Sequence, residues 1–393
     1  MRKTWRPIAA TVAALIAPSL AQAQELRVGY INTLSGAGAG PGVEQTNAWK
    51  LGLEHEGWKQ DGDKIGGVPT KIFYADDQWK PDVGVKEIEK FIRQDKVHVV
   101  AGFMWSNVLM AAQKPIVESK TGLLITNAGA SPMAGELCSP YVVSTSFNNE
   151  QFTEGLGKFI TDEKVESIYL MAPNYQAGKD SIAGFKRHFK GEVLDEVYTP
   201  LGQLDFSAEI AKIAAAKPQA FFTFMPGGMG VNLVKQYRQA GLNNIPFLSA
   251  FTTDESTLPA QKDDAVGFLA GSNWAPNTDT PENKAFVAAY EAAYGSVPGT
   301  YAMQAYDAAL LIDSALKATG GKTSDPAALR TALEKADFKS LRGKFKFGSN
   351  HYPVQDFFLV KVAKRADGKY QTEIAEKVFS DYVDVYAKDC QMK

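Results

Sequence analysis

Histidine and cysteine are scarce in this chain, and so are the sequence patterns of catalytic sites. The four histidines are scattered without a pair at ligand spacing, and two cysteines alone cannot form a zinc site. The nucleotide-binding patterns G-x-G-x-x-G and G-x-x-x-x-G-K-[ST] are absent, as is the nucleophile pattern G-x-S-x-G. These absences predict a protein that is not an enzyme and that carries neither a metal nor a cofactor.

An excess of charge of one sign is also missing. The chain has 42 Lys and Arg against 44 Asp and Glu, with no block rich in Lys or Arg. We therefore expect no nucleic-acid partner. Beyond the N-terminal segment, no apolar run approaches the roughly 20 residues that span a bilayer. The composition is that of a globular chain long enough for two domains.

The N-terminal segment has the organisation of a secretory signal peptide. Basic side chains lie within residues 2–6, a short apolar run follows over residues 8–20, and residues 21–23 (Ala-Gln-Ala) form a small-x-small cleavage signature. The alternative is a membrane anchor, but the run is too short to span a bilayer and is interrupted by Pro18. We predict cleavage after Ala23. Because the residue directly after the cleavage point is Gln24 and not a cysteine, we expect a freely soluble periplasmic product.

The two cysteines, Cys138 and Cys390, both lie in the exported part of the chain. An oxidising compartment favours one disulfide between them. The alternative is two unpaired buried thiols, since sequence does not show whether their Cα atoms come within bonding distance. A bond between them would tie the C-terminal tail to the first third of the chain.

Strand-like and helix-like segments alternate with short connections, which predicts an α/β fold built on parallel sheets with helices on both faces. The pattern restarts after about residue 146 and becomes helix-rich from residue 281. The late helices have no sheet of their own, so we expect them to cover the first lobe. The predicted division is a signal peptide at 1–23, lobe 1 at 24–145 plus 275–350, and lobe 2 at 146–274 plus 351–393. A return of the C-terminal tail to lobe 1 is left open.

The predicted elements fix where these lobes would place a site. Strands are predicted at 26–32, 70–75, 97–102, 123–126, 167–172, 192–198, 219–224, 246–249, 344–347 and 357–362. Helices are predicted at 43–56, 82–94, 106–118, 178–189, 207–216 and 229–240, and then through the run from 281. The result is two doubly wound lobes of similar design, joined by a hinge across a cleft.

Two turns at the carboxyl ends of predicted strands are candidates for ligand contacts, because open α/β sheets bind ligands there. The strand that ends at Gly102 leads to Ser106, which is placed to cap the next helix. A cap serine, free backbone N–H groups and the positive helix end suit a carboxylate. The strand 123–126 leads to Asn127 and small residues that let the main chain face a ligand. The alternative for Ser106 is an ordinary helix cap.

Short motifs along nearly the whole exported chain resemble those of one known family. Their order and spacing are similar to those of the type I periplasmic solute-binding proteins of the branched-chain (hydrophobic) amino acid class of ABC importers. The motifs are TLSG at 33–36, DD at 76–77, GFMWS at 102–106, ITNA at 125–128, SPY at 139–141, NYQAG at 174–178, DFS at 205–207, QAG at 239–241, NKAF at 283–286 and YG at 294–295.

The resemblance implies two Rossmann-like lobes joined by three hinge strands, which close over a small solute. It implies capture by a monomer and delivery to an ABC permease in the inner membrane. In such proteins a serine and nearby main-chain groups hold the ligand's carboxylate, and second-lobe aromatic residues complete the pocket. The candidate ligand-binding residues are Trp105, Ser106, Asn127, Ala128, Ala130, Tyr175, Met225 and Phe251. The alternative for Trp105 is a buried core position. In the closest register to the family, Ala177 and not Tyr175 takes the place of the second-lobe aromatic residue.

Phe251 is the departure that bears on the ligand. The amino acid binders of this family carry an acidic residue near this position, which pairs with the ligand's ammonium group. A desolvated ammonium without such a partner is costly. We therefore predict an aromatic or otherwise apolar carboxylate that lacks an ammonium group. The alternatives are that Asp254 takes the role of the acid and the ligand is a hydrophobic amino acid, or that the protein is a ligand-sensing partner of a membrane receptor.

Overall fold

The structure is a computed structural model that describes residues 25–322 and 326–392. The predicted signal peptide and its cleavage site lie outside the described residues. Within the described ranges, no helix is both long and apolar enough to cross a membrane.

Strands and helices alternate through most of the described chain. The strands are β1 (Leu26–Asn32), β2 (Lys64–Ile65), β3 (Val68–Asp76), β4 (Val99–Gly102), β5 (Gly122–Ile125), β6 (Val142–Ser144), β7 (Ser167–Pro173), β8 (Glu192–Thr199), β9 (Ala220–Phe224), β10 (Phe247–Ala250), β11 (Leu269–Ser272), β12 (Lys346–Phe347), β13 (Pro353–Lys364) and β14 (Tyr370–Tyr382). The helices are α1 (Ala39–His55), α2 (Pro81–Lys90), α3 (Ser106–Glu118), α4 (Ser131–Ala134), α5 (Gln151–Asp162), α6 (Gln176–His188), α7 (Ser207–Ala216), α8 (Gly228–Gln239), α9 (Leu258–Gln261), α10 (Pro281–Tyr294), α11 (Thr300–Thr319) and α12 (Pro326–Glu334).

The first sheet has the strand order β2-β3-β1-β4-β5-β6. All its neighbours pair in parallel except the short β2, which is antiparallel to β3. The central strand β4 is buried along its whole length, which is typical of a parallel strand with helices on both faces. Helices α2 and α3 pack on one face, and α1 packs with α11 on the other.

The second sheet has the order β12-β13-β11-β10-β9-β7-β8, and β14 pairs with β13. The strands from β7 to β11 are parallel, whereas β13 runs antiparallel to β11 and β14 antiparallel to β13. The α/β class and the two-lobed, doubly wound design predicted from the sequence are confirmed, with an antiparallel extension added to the second lobe.

The chain passes between the two sheets at three places. The connections run from β6 to α5, from β11 to α10, and from α12 to β12. Residues of α10, α11 and α12 join the hydrophobic core beneath the first sheet, whereas β13 and β14 extend the second.

The C-terminal tail lies against the first lobe. A disulfide joins Cys138 to Cys390, with 5.6 Å between the Cα atoms. Tyr386 packs close to Gly135, and its hydroxyl donates to Glu150 Oε1 at 2.7 Å. The tail therefore connects the end of the chain to both the first lobe and a lobe connection.

Candidate ligand-binding site

A small cavity lies where the carboxyl ends of strands from both sheets face each other. Residues of both lobes and of the first connection between them form its wall. The lining residues are Met104, Trp105, Ser106, Asn127, Phe147, Asn149, Tyr175, Ala177, Phe224, Pro226, Phe251 and Tyr301. None of these lining residues is charged, and half of them carry an aromatic ring.

A tight turn after β4 brings the first wall into place. Gly102 has a φ of +118°, and a Cβ there would lie 2.0 Å from the carbonyl oxygen of Ile31. Only glycine fits this position. Phe103 follows with a φ of +66°, a conformation that bulky side chains rarely adopt. This turn directs the chain away from the sheet so that Trp105 and Ser106 line the cavity.

Ser106 does not cap α3, contrary to its expected placement. Trp105 occupies the N-cap position, and the helix start has no side-chain capping bond. The reason is that Ser106 is the first helical residue, and its hydroxyl oxygen instead accepts a hydrogen bond from Asn149 Nδ2 at 3.1 Å. Among the described residues, no acceptor takes the Ser106 hydroxyl proton, which is left for a molecule in the cavity.

Two further kinds of donor accompany the Ser106 hydroxyl. The indole N–H of Trp105 is buried and has no partner among the described residues. Among the described residues, the N–H groups of Ser106 and Asn107 at the start of α3 have no acceptor, and the helix dipole adds positive potential at this end. Donors without competing acceptors favour an anionic oxygen. This side of the cavity is therefore suited to a carboxylate.

The turn after β5 contributes less than expected. Asn127 lines the cavity and donates from Nδ2 to the Met104 carbonyl at 2.7 Å. Ala128 and Ala130 are buried but are not among the lining residues. The Ala128 N–H donates to the Phe103 carbonyl at 3.0 Å, so it is already engaged within the turn.

Aromatic rings form the opposite wall. Phe251 follows β10 with a φ of +54°, and its ring lies 5.0 Å from that of Tyr301, 5.2 Å from Phe147 and 6.2 Å from Phe224. Tyr175 lies 6.3 Å from Phe224. Burial raises the pKa of Tyr175 and Tyr301 well above the usual range, so both phenols stay neutral. The wall offers ring faces and no negative charge.

Met225 and Asp254 lie outside this wall. Met225 is buried in a separate core cluster, and its N–H donates to Thr252 Oγ1 at 2.8 Å. Asp254 Oδ1 accepts from the backbone N–H and the hydroxyl of Ser256, and Asp254 does not line the cavity. Burial raises its pKa to about 6. No lining residue in the described structure therefore supplies a carboxylate for an ammonium group.

The sequence predictions and the cavity coincide in part. Trp105, Ser106, Asn127, Tyr175 and Phe251 all line it, whereas Ala128, Ala130 and Met225 do not. The lining residues that sequence reasoning did not single out are Met104, Phe147, Asn149, Phe224, Pro226 and Tyr301, and Ala177 was noted only as an alternative to Tyr175.

Three of the missed residues reach the cavity from places that strand-end reasoning does not cover. Phe147 and Asn149 lie in the connection between the lobes, and Tyr301 lies near the start of α11. Phe224 is the last residue of β9 and was detectable by the same signal as Gly102, because it ends a predicted strand.

Comparisons with known proteins show which family this chain is similar to. The profile of a family described as periplasmic binding protein matches residues 25–369. The Leu/Ile/Val-binding protein homolog 6 of Brucella melitensis is 29% identical over 367 residues, which cover 90% of this chain and 92% of that protein.

Two solved structures superimpose over almost the whole described fold. One is an ABC transporter solute-binding protein from R. palustris in complex with benzoate, with 30% identity, a TM-score of 0.87 and coverage of 94% of this chain and 100% of that chain. The other is a solute-binding protein of an ABC transporter from Rhodopseudomonas palustris BisB5 in complex with 3,4-dihydroxybenzoic acid. It has 30% identity, a TM-score of 0.85 and coverage of 92% of this chain and 99% of that chain. The two matched structures are solute-binding proteins and not enzymes. The chain therefore belongs to the periplasmic binding protein family, as its sequence resemblance predicted.

Proposed function

We propose that this protein is the periplasmic substrate-binding component of an ABC importer and that it captures an aromatic carboxylate of the benzoate class. Its cargo carries a carboxylate at one end, an aromatic ring in the middle and no ammonium group. The single observation that carries the proposal is the cavity wall, which combines hydrogen-bond donors around Ser106 with aromatic rings around Phe251 and no charged side chain.

The absence of a lining carboxylate favours an aromatic acid over an amino acid. An amino acid brings an ammonium group whose burial without an anionic partner costs several kcal/mol. Asp254, the alternative acid, lies outside the wall, and its Oδ1 accepts from Ser256. A benzoate-type acid requires only donors and apolar contacts, both of which the described lining residues supply.

The aromatic wall also accounts for selectivity. Aromatic pairs prefer centroid separations of about 4.5–7 Å. The rings around Phe251 already lie within that range of one another, so a ligand ring can join the cluster. Pockets of this kind, apolar with a few placed polar groups, select by shape and by one polar anchor.

The known relatives support the same class of ligand. The two solute-binding proteins of about one-third identity were crystallised with benzoate and with 3,4-dihydroxybenzoic acid, respectively. The Brucella relative is named for leucine, isoleucine and valine at similar identity. The uncharged wall around Phe251 favours the first class over the second.

Capture would proceed by closure of the lobes. The first lobe holds the carboxylate at the start of α3, and the aromatic side chains of the second lobe cover the ring. Closure is favoured because these contacts form only when both walls meet the ligand. The closed form is then the state that an inner-membrane permease recognises. The predicted signal peptide delivers the protein to the periplasm, where it can meet this permease.

Identification of the co-purifying ligand tests the proposal. The protein is secreted to the periplasm of cells grown with 4-hydroxybenzoate, purified and denatured, and the released small molecules are analysed by mass spectrometry. The Phe251→Glu variant, prepared in parallel, serves as the matched control. We expect an aromatic acid from the wild type and none from the variant. Release of leucine, isoleucine or valine, or of no aromatic acid, contradicts the proposal.

A further inference from the structure

One side-chain amide joins the ligand-facing serine to the opposite lobe. Asn149 lies in the connection between β6 and α5, is 8% exposed, and is held by a hydrogen bond from its N–H to the Gly129 carbonyl at 2.7 Å. Its Nδ2 donates one hydrogen bond to Ser106 Oγ at 3.1 Å and another to Asp180 Oδ2 at 2.9 Å. Asn149 also lines the cavity.

The surroundings of Asp180 fix the orientation of this amide. Its carboxylate accepts from the Ser131 N–H at 3.1 Å and from Gln176 Nε2 at 2.8 Å, in addition to Asn149 Nδ2. An acceptor-only carboxylate requires the NH₂ side of the asparagine to face it. Because both hydrogens of that NH₂ group are then used, Ser106 must accept the second one. The serine proton is consequently free for another acceptor.

The same contacts cross between the lobes. Asp180 is on α6, which packs on β7 of the second sheet, whereas Ser131 begins α4 after the last residues of β5 in the first lobe. The hydrogen bonds of Asp180 to Ser131 and Asn149 therefore form where α6 meets the first lobe. The Asn149 amide is shared between this inter-lobe contact and the ligand-facing hydroxyl.

We propose that Asn149 is a positioning residue. Its amide donates to the Ser106 oxygen, so that the Ser106 hydroxyl points its proton at the ligand, and it also donates to Asp180 of the second lobe. The orientation of the Ser106 hydroxyl is therefore fixed when the lobes are closed. The inference rests on the proposed function, because the acceptor it provides for is the ligand's carboxylate. An acid, which offers only acceptor oxygens, suits this polarity. The matching primary amide has one acceptor oxygen for Ser106, but its NH₂ group then faces the N–H groups at the start of α3, so it suits the site less well than the acid.

Substitution of Asn149 by aspartate reverses the polarity with almost no change in shape. The new carboxyl oxygen faces Asp180 Oδ2, so the two carboxyl groups share one proton and together keep the single negative charge that Asp180 carries in the wild type. The new oxygen then accepts the Ser106 proton, so the serine presents a lone pair to the cavity. We expect Asn149→Asp to weaken benzoate binding at least 100-fold and benzamide binding less than 10-fold. The preference for the acid, at least 10-fold in the wild type, is then abolished or reversed.

The matched control is Asp180→Asn. Asparagine at 180 still offers an oxygen to Ser131 and Asn149, so the orientation of the Asn149 amide is kept while the inter-lobe hydrogen bonds lose their charge. We expect benzoate and benzamide to weaken by the same factor, with their ratio within threefold of the wild-type value. A role of Asn149 in structure alone would likewise leave this ratio unchanged, which is why the ratio is the decisive readout.

The test uses isothermal titration calorimetry of both ligands with the full secreted protein and each variant. Thermal unfolding checks that Asn149→Asp folds. If it does not fold, Asn149→Ala is used instead, and for that variant we expect the ratio of benzoate affinity to benzamide affinity to fall at least fivefold. If the wild type binds benzoate but the Asn149 variant keeps the wild-type ratio of benzoate affinity to benzamide affinity, this inference alone is overturned. Failure of the wild type to bind any benzoate overturns the proposed function and this inference with it.

Discussion

Removal of the Ser106 hydroxyl is the substitution that probes the carboxylate end of the cavity. A hydrogen bond to a charged group contributes about 1.5–3 kcal/mol. In Ser106→Ala the Asn149 amide, which lies 3.1 Å from the lost oxygen, becomes free to donate toward the ligand and offsets part of the loss. We therefore expect a loss of about 2 kcal/mol, which corresponds to roughly 30-fold weaker binding.

The assay is isothermal titration calorimetry with benzoate on the wild type, Ser106→Ala and Ser119→Ala. Ser119 serves as the control because it follows the other end of α3, where its hydroxyl donates to the Ile116 carbonyl at 2.8 Å. We expect Ser119→Ala to bind as the wild type does. A dissociation constant for Ser106→Ala within threefold of the wild-type value refutes the assignment of the carboxylate to the start of α3.

Three further predictions concern other parts of the molecule. Phe251→Glu places a carboxylate among the cavity rings, so benzoate binding in calorimetry is expected to fall more than 100-fold; unchanged affinity would show that the ligand lies elsewhere. Burial raises the pKa of Glu255 to about 7, so its contribution to stability is present below the unfolded pKa, near 4.3, and is lost as the pH rises through 7. Glu255→Gln is therefore expected to gain stability relative to the wild type, on the order of 3 kcal/mol between pH 4 and pH 8, in urea unfolding; a pH-independent difference would count against this. Reduction of the Cys138–Cys390 bond, which spans 252 positions, is expected to lower the free energy of unfolding by about 5 kcal/mol; a loss below about 1 kcal/mol would contradict the entropic account.

The parallel strands were the most predictable part of the fold. β1 was predicted with its observed bounds, and β7 and β9 within one residue at each end. These strands are short apolar runs that the helices cover on both faces, so local composition and burial agree. The helix expected from residue 43 begins earlier, at Ala39, because the glycine-rich segment continues into its first turn.

The long strand β14 was not predicted, and its sequence explains why. It spans Tyr370–Tyr382, and most of its residues are charged or only partly buried, so an apolar pattern is weak. The strand depends on antiparallel pairing with β13, a contact between segments that composition alone does not reveal. The helix α5 was missed for a different reason, since it follows a lobe connection and not a predicted strand.

The residues of the candidate site also differ in whether the sequence alone could locate them. Strand-end reasoning located Ser106, whereas Phe251, which also follows a strand end, was located by the family resemblance. Asn149 and Tyr301 come from a lobe connection and from a helix far along the chain, so only the folded arrangement brings them to the cavity. The Ser106 hydroxyl, expected to cap α3, instead accepts a hydrogen bond from Asn149 in the connection, a contact that sequence position does not reveal.

The central claim is that the cavity binds an aromatic acid without an ammonium group. Its most direct test is calorimetric titration of the purified, ligand-free wild-type protein with benzoate, 4-hydroxybenzoate and leucine under identical conditions. We predict saturable binding of at least one of the two aromatic acids and no detectable heat of binding with leucine. Tight binding of leucine, with weak or absent binding of both aromatic acids, would contradict the claim.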